Sequence, residues 1–319
     1  MNTRRGADAS LPRDLTIQMV VTPGSGSGRA RSTARRLSKL LRRRGVEAAM
    51  RAFGNLAALR RWAETCEPHF SHLICVGGDA TLSAAAHASI RTKAAFVPVP
   101  NGFGNLFAQV FGYRSQAGAV VRLLDEGEVR RVDVGEVKRS AGEDIFLSHR
   151  SYGFLEQVQQ VAERGRQQPR QRLLRYLWYY GAAHHFLFRA RLASFQVAID
   201  GKDVADDAVL VTVANVETYR GFLALTPTAS PIDGLFDVFL IPRVSKLGLL
   251  RRLLFLMFRL PGRWRGVTVY RGQRVTVTTP WRREELQVRR RALPLLVPPG
   301  AIDALANRTV DDAPPIERP

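Results

Sequence analysis

The sequence predicts an α/β N-terminal domain on a mostly parallel sheet, followed by a C-terminal antiparallel β-sandwich domain. Three observations carry this reading. Strands and helices alternate over the first 125 residues, a glycine-rich loop follows each of three apolar strands, and past Val129 short strands recur with tight turns. Residues 1–13 read as a flexible polar tail. Ile17–Val21 is an apolar strand that runs into Thr22-Pro23-Gly24-Ser25-Gly26-Ser27-Gly28. From Ala30 to Arg44 the spacing is helical, with Ala34, Leu37, Leu40 and Leu41 on one face and arginines on the other, and Gly45 ends it. Val46 to Phe53 reads as a strand and Leu56 to Glu67 as a helix. His72–Val76 is a third strand, entering Gly77-Gly78-Asp79-Ala80-Thr81 and an Ala-rich helix from Leu82 to Ile90. Ala95–Val99 is a fourth, before Pro100-Asn101-Gly102-Phe103-Gly104-Asn105 and a short helix from Leu106.

In the second half, Val132–Val137 and Ile145–Ser148 read as strands joined by a turn at Ala141-Gly142-Glu143. A helical, basic stretch from Gln157 to Arg189 intervenes. Strand patterns follow at Ser194–Asp200, Ala208–Ala214, Leu235–Ile241, Val267–Tyr270, Arg274–Thr278 and Leu286–Arg289, with Asp200-Gly201 as a hairpin turn.

Composition narrows the partners. The chain has 48 basic and 28 acidic residues, a formal charge of +20, which draws polyanions: nucleic acid, anionic lipid headgroups or phosphorylated substrates. A generally arginine-rich composition would give the same balance. Nucleic acid lacks a recognition-helix motif or an aromatic stacking array to support it. Cys66 and Cys75 suit neither a disulfide framework nor a zinc site, which points to a reducing compartment, and Cys75 lies in an apolar run as a buried thiol. His184-His185, adjacent on a helical stretch, cannot face one ligand. The polar N-terminus lacks a signal peptide's apolar core, and no stretch reaches the roughly 18 apolar residues of a membrane span. The expected location is cytoplasmic, with at most peripheral attachment to a membrane.

The three loops are the chemical signal. Glycines at the carboxyl ends of parallel strands let backbone approach a phosphate, and helix N-termini add amide donors and positive dipole. One such loop is a weak signal; three, each at the carboxyl end of a strand, are stronger evidence for an anion site. No Walker-type Gly-Lys-Ser/Thr ending follows Gly26-Ser27-Gly28-Arg29.

At this point the chain resembles a family. Gly77-Gly78-Asp79-Ala80-Thr81 is similar to the GGDGT signature of the diacylglycerol kinase catalytic domain superfamily, which includes sphingosine, ceramide and bacterial lipid kinases. The Thr22–Gly28 loop resembles its N-P-x-S-G-x-G, and Pro100–Ala108 its P-x-G-T-G-N-x-x-A. Asn215, Pro227 and Asp233-Gly234-Leu235-Phe236-Asp237-Val238 resemble N…P…DGxLDV, and Val297–Ala301 a closing P-G-A turn. The resemblance implies a nucleotide-binding α/β domain over 14–130, a lipid-substrate β-sandwich over 131–299, and a return to the first domain over 300–319. It implies ATP and Mg2+ as cofactors and a lipid substrate at an anionic membrane surface. It places nucleotide phosphates on Thr22, Ser25, Gly26 and Gly28, on Gly77, Gly78, Asp79 and Thr81, and on Gly102, Gly104 and Asn105. Asp79 would act near magnesium or on the acceptor hydroxyl, and Asp233 as general base or metal partner.

Departures from that pattern are specific. Ala80 stands at the third glycine of GGDGT, Ser83 and Ala84 at the following Asn and Glu, Phe103 at a Thr or Ser, and Arg220-Gly221-Phe222 at a glycine triplet. Arg289-Arg290-Arg291 replaces an Asp-Gly-Glu. A lipid kinase is therefore weighed against a non-catalytic nucleotide- or lipid-phosphate-binding relative, with NAD-kinase-like chemistry a further branch. Ser245–Arg265 and Gln171–Phe188 both mix aliphatics with arginines, which suits either a membrane interface or packing on the sandwich.

Overall fold

The structure is a computed structural model that describes residues 15–22, 29–102, 104–139, 142–153, 156, 193–218, 225–279, 282–310, 313–317 and 319. The expected helical stretch 157–189, His184-His185 and residues 219–224 lie outside the described residues.

The first half alternates as expected: β1 (Ile17–Val21), α1 (Ala30–Arg43), β2 (Ala48–Ala52), α2 (Leu56–Thr65), β3 (His72–Gly77), α3 (Asp79–Thr92), β4 (Ala95–Pro100), α4 (Leu106–Val110) and α5 (Ala117–Glu126). The strands lie parallel in the order β2-β1-β3-β4. The side chains of β1, β3 and β4 are buried on both faces, whereas those of the edge strand β2 are largely exposed. One face packs on Ala34, Leu37 and Leu41 of α1 with Val120 and Leu124 of α5; the other packs on α2, α3 and α4.

The second half supplies β5 (Glu128–Arg139), β6 (Gly142–Phe146), β7 (His149–Gly153), β8 (Phe195–Ile199), β9 (Lys202–Ala208), β10 (Leu210–Ala214) and β11 (Phe236–Ile241). Then come α6 (Lys246–Met257), β12 (Thr268–Gly272), β13 (Arg274–Thr278), β14 (Arg283–Val297), α7 (Ala301–Ala306) and β15 (Ile316–Glu317). A five-stranded sheet, β15-β12-β11-β10-β7, faces β8, β13 and β14 across a core of Tyr152, Phe195, Val211, Phe236, Val238 and Val277. This is the sandwich. On the outer face of the five-stranded sheet lies α6, with Leu249 and Leu256 turned inward onto Phe239 and Val269.

The two halves share a sheet. The N-terminal part of β14 pairs with β13, its C-terminal part reaches β4 through Leu295 opposite Phe96, and β5 runs antiparallel along its whole length. The expected division near residue 130 thus falls inside β5.

Several elements differ from the sequence reading, each for a physical reason. The third helix begins at Asp79 rather than Leu82, because extended Gly78 serves as its cap and an acidic first turn suits the helix dipole. β9 is an edge strand carrying Asp203, Asp206 and Asp207, and so lacks apolar alternation. β14 does not stop at Arg289; a bulge between Arg289 and Leu293 carries it on to Val297. The Asp200-Gly201 turn has φ of 49° and 86°, as a two-residue hairpin needs.

Phe236 is fully buried between the sheets and stacks on Phe146 at 5.5 Å. Phe236→Ala is expected to cost about 3–5 kcal/mol, read as a lower urea midpoint with an unchanged slope.

Candidate active site

Two of the three glycine loops meet at the carboxyl ends of β3 and β4. None of Gly77, Gly78, Gly102 and Gly104 has positive φ. What these positions require is closeness. A Cβ at Gly102 would stand 2.5 Å from the Cα of Gly78, and one at Gly78 would stand 3.0 Å from the Cα of Gly102. A Cβ at Gly77 would meet that of Thr81 at 2.5 Å, and one at Gly104 would sit 3.1 Å from Asp79 Oδ2. The Asn101 amide donates to the Gly77 carbonyl at 2.8 Å, tying the loops together. Asn105, in the left-handed region at φ 49°, accepts from the Gly102 amide at 2.8 Å and donates back to its carbonyl at 2.9 Å.

Asp79 sits between the loops. Its carboxylate accepts the Phe107 amide at 3.3 Å, with further amide donation from Asn105 and Leu106, so it caps the five-residue α4 from a different helix. Burial raises its pKa and these amides oppose the rise. The first turn of α3 itself has no side-chain cap. Ala80, in that turn, is exposed and has no positive φ, so its methyl is accommodated. Thr81 is buried against Gly77, and Thr22 is buried beyond the end of β1. Ser25, Gly26, Gly28 and Phe103 lie outside the described residues.

A second assembly lies in the other half. Asp133 of β5 is 2% exposed. Its Oδ2 accepts the Gly234 amide at 2.8 Å and its Oδ1 the Arg291 amide at 2.7 Å. Its own amide donates to the Pro231 carbonyl, and its carbonyl accepts Asn215 Nδ2 at 3.0 Å. This fixes the Asp233-Gly234 turn, with Gly234 at φ 77°, against the β14 bulge, where Arg291 has φ 48°. Asp233 reaches solvent, and its Oδ1 accepts the Leu235 amide at 3.0 Å. Partial desolvation pushes its carboxyl up to about 6, against the pull of that amide and of Arg271, and Asp237 and Asp133 add to the rise. Asp237 itself is committed to Arg271 at 2.8 Å and to the Thr228 hydroxyl.

The three arginines divide their work. Arg289 pairs with Glu136 at 3.5 Å, the Arg290 guanidinium lies over Gly234, and Arg291 is held by its backbone. All three are exposed. The loop assembly and the turn assembly stand over one core, since Ile232 packs against the cluster that contains Leu106 and Phe107. Among the described residues no three His, Cys, Asp or Glu side chains converge as a metal-binding group.

Sequence reasoning missed Asp133 and the placement of Arg290. An Asp between Val132 and Val134 in an apolar strand was the available signal: a carboxylate there is buried and needs donors.

Comparisons with known proteins match both halves of the chain. The model of the diacylglycerol kinase catalytic domain matches residues 16–137, and that of the YegS C-terminal NAD kinase beta sandwich-like domain matches residues 151–290. A Mycobacterium tuberculosis protein named "Diacylglycerol kinase" is 28% identical over 239 residues, 74% of this chain and 76% of that one. A Pseudomonas syringae pv. tomato protein named "Probable lipid kinase YegS-like" is 31% identical over 191 residues, 57% of this chain and 58% of that one. A crystal structure of a diacylglycerol kinase from Bacillus anthracis superposes with a TM-score of 0.62, covering 90% of this chain and 98% of its own. At 14% identity that likeness speaks to the fold.

Gly102→Ala should force the two loops apart and cost about 1–3 kcal/mol. Ala80→Gly, in an exposed helical turn, should cost no more than about 1 kcal/mol. Thermal unfolding of both variants checks the contrast.

Proposed function

The chain belongs to the diacylglycerol kinase catalytic domain superfamily, and on that premise we propose that it is an ATP-dependent kinase transferring the γ-phosphate to the hydroxyl of a diacylglycerol- or sphingoid-type lipid. The observation that carries this is the N-terminus of the 14-residue α3, which has no side-chain cap and is set directly against the Gly102 loop. Its first-turn amides and dipole favour an anion, and the glycine backbones let phosphate oxygens come close.

In this reading Gly77, Gly78, Gly102 and Gly104 position the phosphates, and Asn105 holds the second loop rigid. Asp79 keeps α4 and the Gly104 turn in register beside them. Asp233 accepts the proton of the acceptor hydroxyl as its oxygen bonds to phosphorus and the bond to the departing diphosphate oxygen breaks. Arg290, over Gly234, offers cationic donors to the phosphate oxygens. A divalent cation such as Mg2+ neutralises phosphate charge when bound. Asp79 and Asp233 are the candidate carboxylates that would hold it, which would suit a cation that takes one or two carboxylates and completes its shell with phosphate and water.

The reaction is tested with γ-labelled ATP, magnesium and a panel of lipids in anionic mixed micelles. The wild type should label a lipid and Asp79→Ala should not. A base with a pKa near 6 is protonated below that pH, so kcat/KM should rise with pH through about 6. Asp233→Asn should lose about a hundredfold or more and lose that acid limb. ATP binding without transfer to any lipid would overturn the reading in favour of a nucleotide- or lipid-phosphate-binding protein.

A further inference from the structure

The helix α6 is apolar on two opposite sides. Leu249, Leu253 and Leu256 face the five-stranded sheet. Half a turn away, Leu247, Arg251, Leu254 and Phe258 follow one another at i, i+4, i+7 and i+11, which places them in one narrow stripe. Leu247 is 73% exposed, Phe258 64% and Leu260, just past the helix, 39%. Most large apolar side chains of the described residues are buried, and three of the few exposed ones lie within these 14 positions. A helix with apolar side chains all round is normally covered all round.

The charge around the stripe identifies what covers it. No Asp or Glu occurs between Asp237 and Glu284, and residues 243–265 contain seven Arg and Lys. Arg243, Arg251, Arg259 and Arg265 are exposed. The Arg251 guanidinium lies 6.0 Å from the Phe255 ring, and that of Arg263 lies 5.2 Å from the Trp264 ring. Aliphatic and aromatic side chains flanked by arginines, with no acidic residue among them, match the depth profile of a bilayer surface: acyl boundary in the middle, anionic headgroups at the sides. No helix among the described residues is long and apolar enough to cross a membrane.

We propose that the outer face of α6 with the turn after it, Leu247 to Arg265, docks on an anionic lipid bilayer, with Leu247, Phe258 and Leu260 entering the acyl boundary and the arginines on the headgroups. The inference extends the lipid-kinase reading by supplying the surface where an acceptor embedded in a bilayer is met. Its residues and its test do not depend on phosphoryl transfer.

The test is flotation of the full chain, without ATP, on vesicles of phosphatidylcholine with or without phosphatidylglycerol. The wild type should float with the phosphatidylglycerol vesicles, and salt should weaken that binding. Leu247→Ser/Phe258→Ser should reduce the partition about tenfold, and Arg251→Glu/Arg259→Glu should abolish the preference for phosphatidylglycerol, both with unchanged thermal midpoints. Undiminished binding by both variants would overturn the proposal. So would a lowered midpoint, which would mean that the chain itself covers the stripe, or conversion of a wild-type dimer to a monomer, which would mean that a second copy does. If the vesicle result holds and no lipid is ever phosphorylated, the kinase reading fails and the docking face stands.

Discussion

One buried carboxylate locks the Asp233-Gly234 turn to the bulge of β14. Asp133 lies on β5, which begins beside the α/β domain and ends in the sandwich. Its two oxygens take the amides of Gly234 and Arg291, which belong to segments 57 residues apart in the chain. Charge-assisted bonds of this kind are the strong ones, and a carboxylate this deeply buried is tolerable only because both oxygens are used. Without it, neither the left-handed Arg291 nor the positive-φ Gly234 has a reason to sit where it does. Asp233, whose carboxylate takes the Leu235 amide, and Arg290, over Gly234, stand on the two segments that it holds together.

The first half is organised by a different economy. Gly78 and Gly102 are glycine because one backbone lies on the other, and a methyl at either would occupy the neighbour's place. Asp79 meets the amides that the short α4 cannot satisfy for itself. The result leaves one helix start saturated by a carboxylate and the neighbouring one, on α3, without a side-chain cap.

The fold class was legible because both of its signals are local. Apolar runs ending in glycine mark buried parallel strands, and Asp200-Gly201 marks a hairpin. The motif residues could be picked out as a set, but the contacts they make with one another could not. Asn105, which the resemblance gives as nucleotide-binding, also bridges Gly102 across its own loop. Ala80 reads as a defect in a glycine motif, yet it occupies an ordinary helical turn because that helix starts three residues earlier than its apolar pattern does. The triple arginine reads as lost carboxylates. Its place on a bulge against the Asp233-Gly234 turn depends on strand register over a separation of more than fifty residues, which no local pattern encodes.

The sheet shared through β5 and β14 has a consequence for how this protein can be taken apart, by an experimenter or by evolution. A cut between the halves would not release two modules. It would strip β14 from β4, leaving each fragment with an unpaired apolar edge, and such edges are templates for aggregation. The architecture therefore resists domain shuffling: the two halves must be inherited, expressed and engineered as one piece.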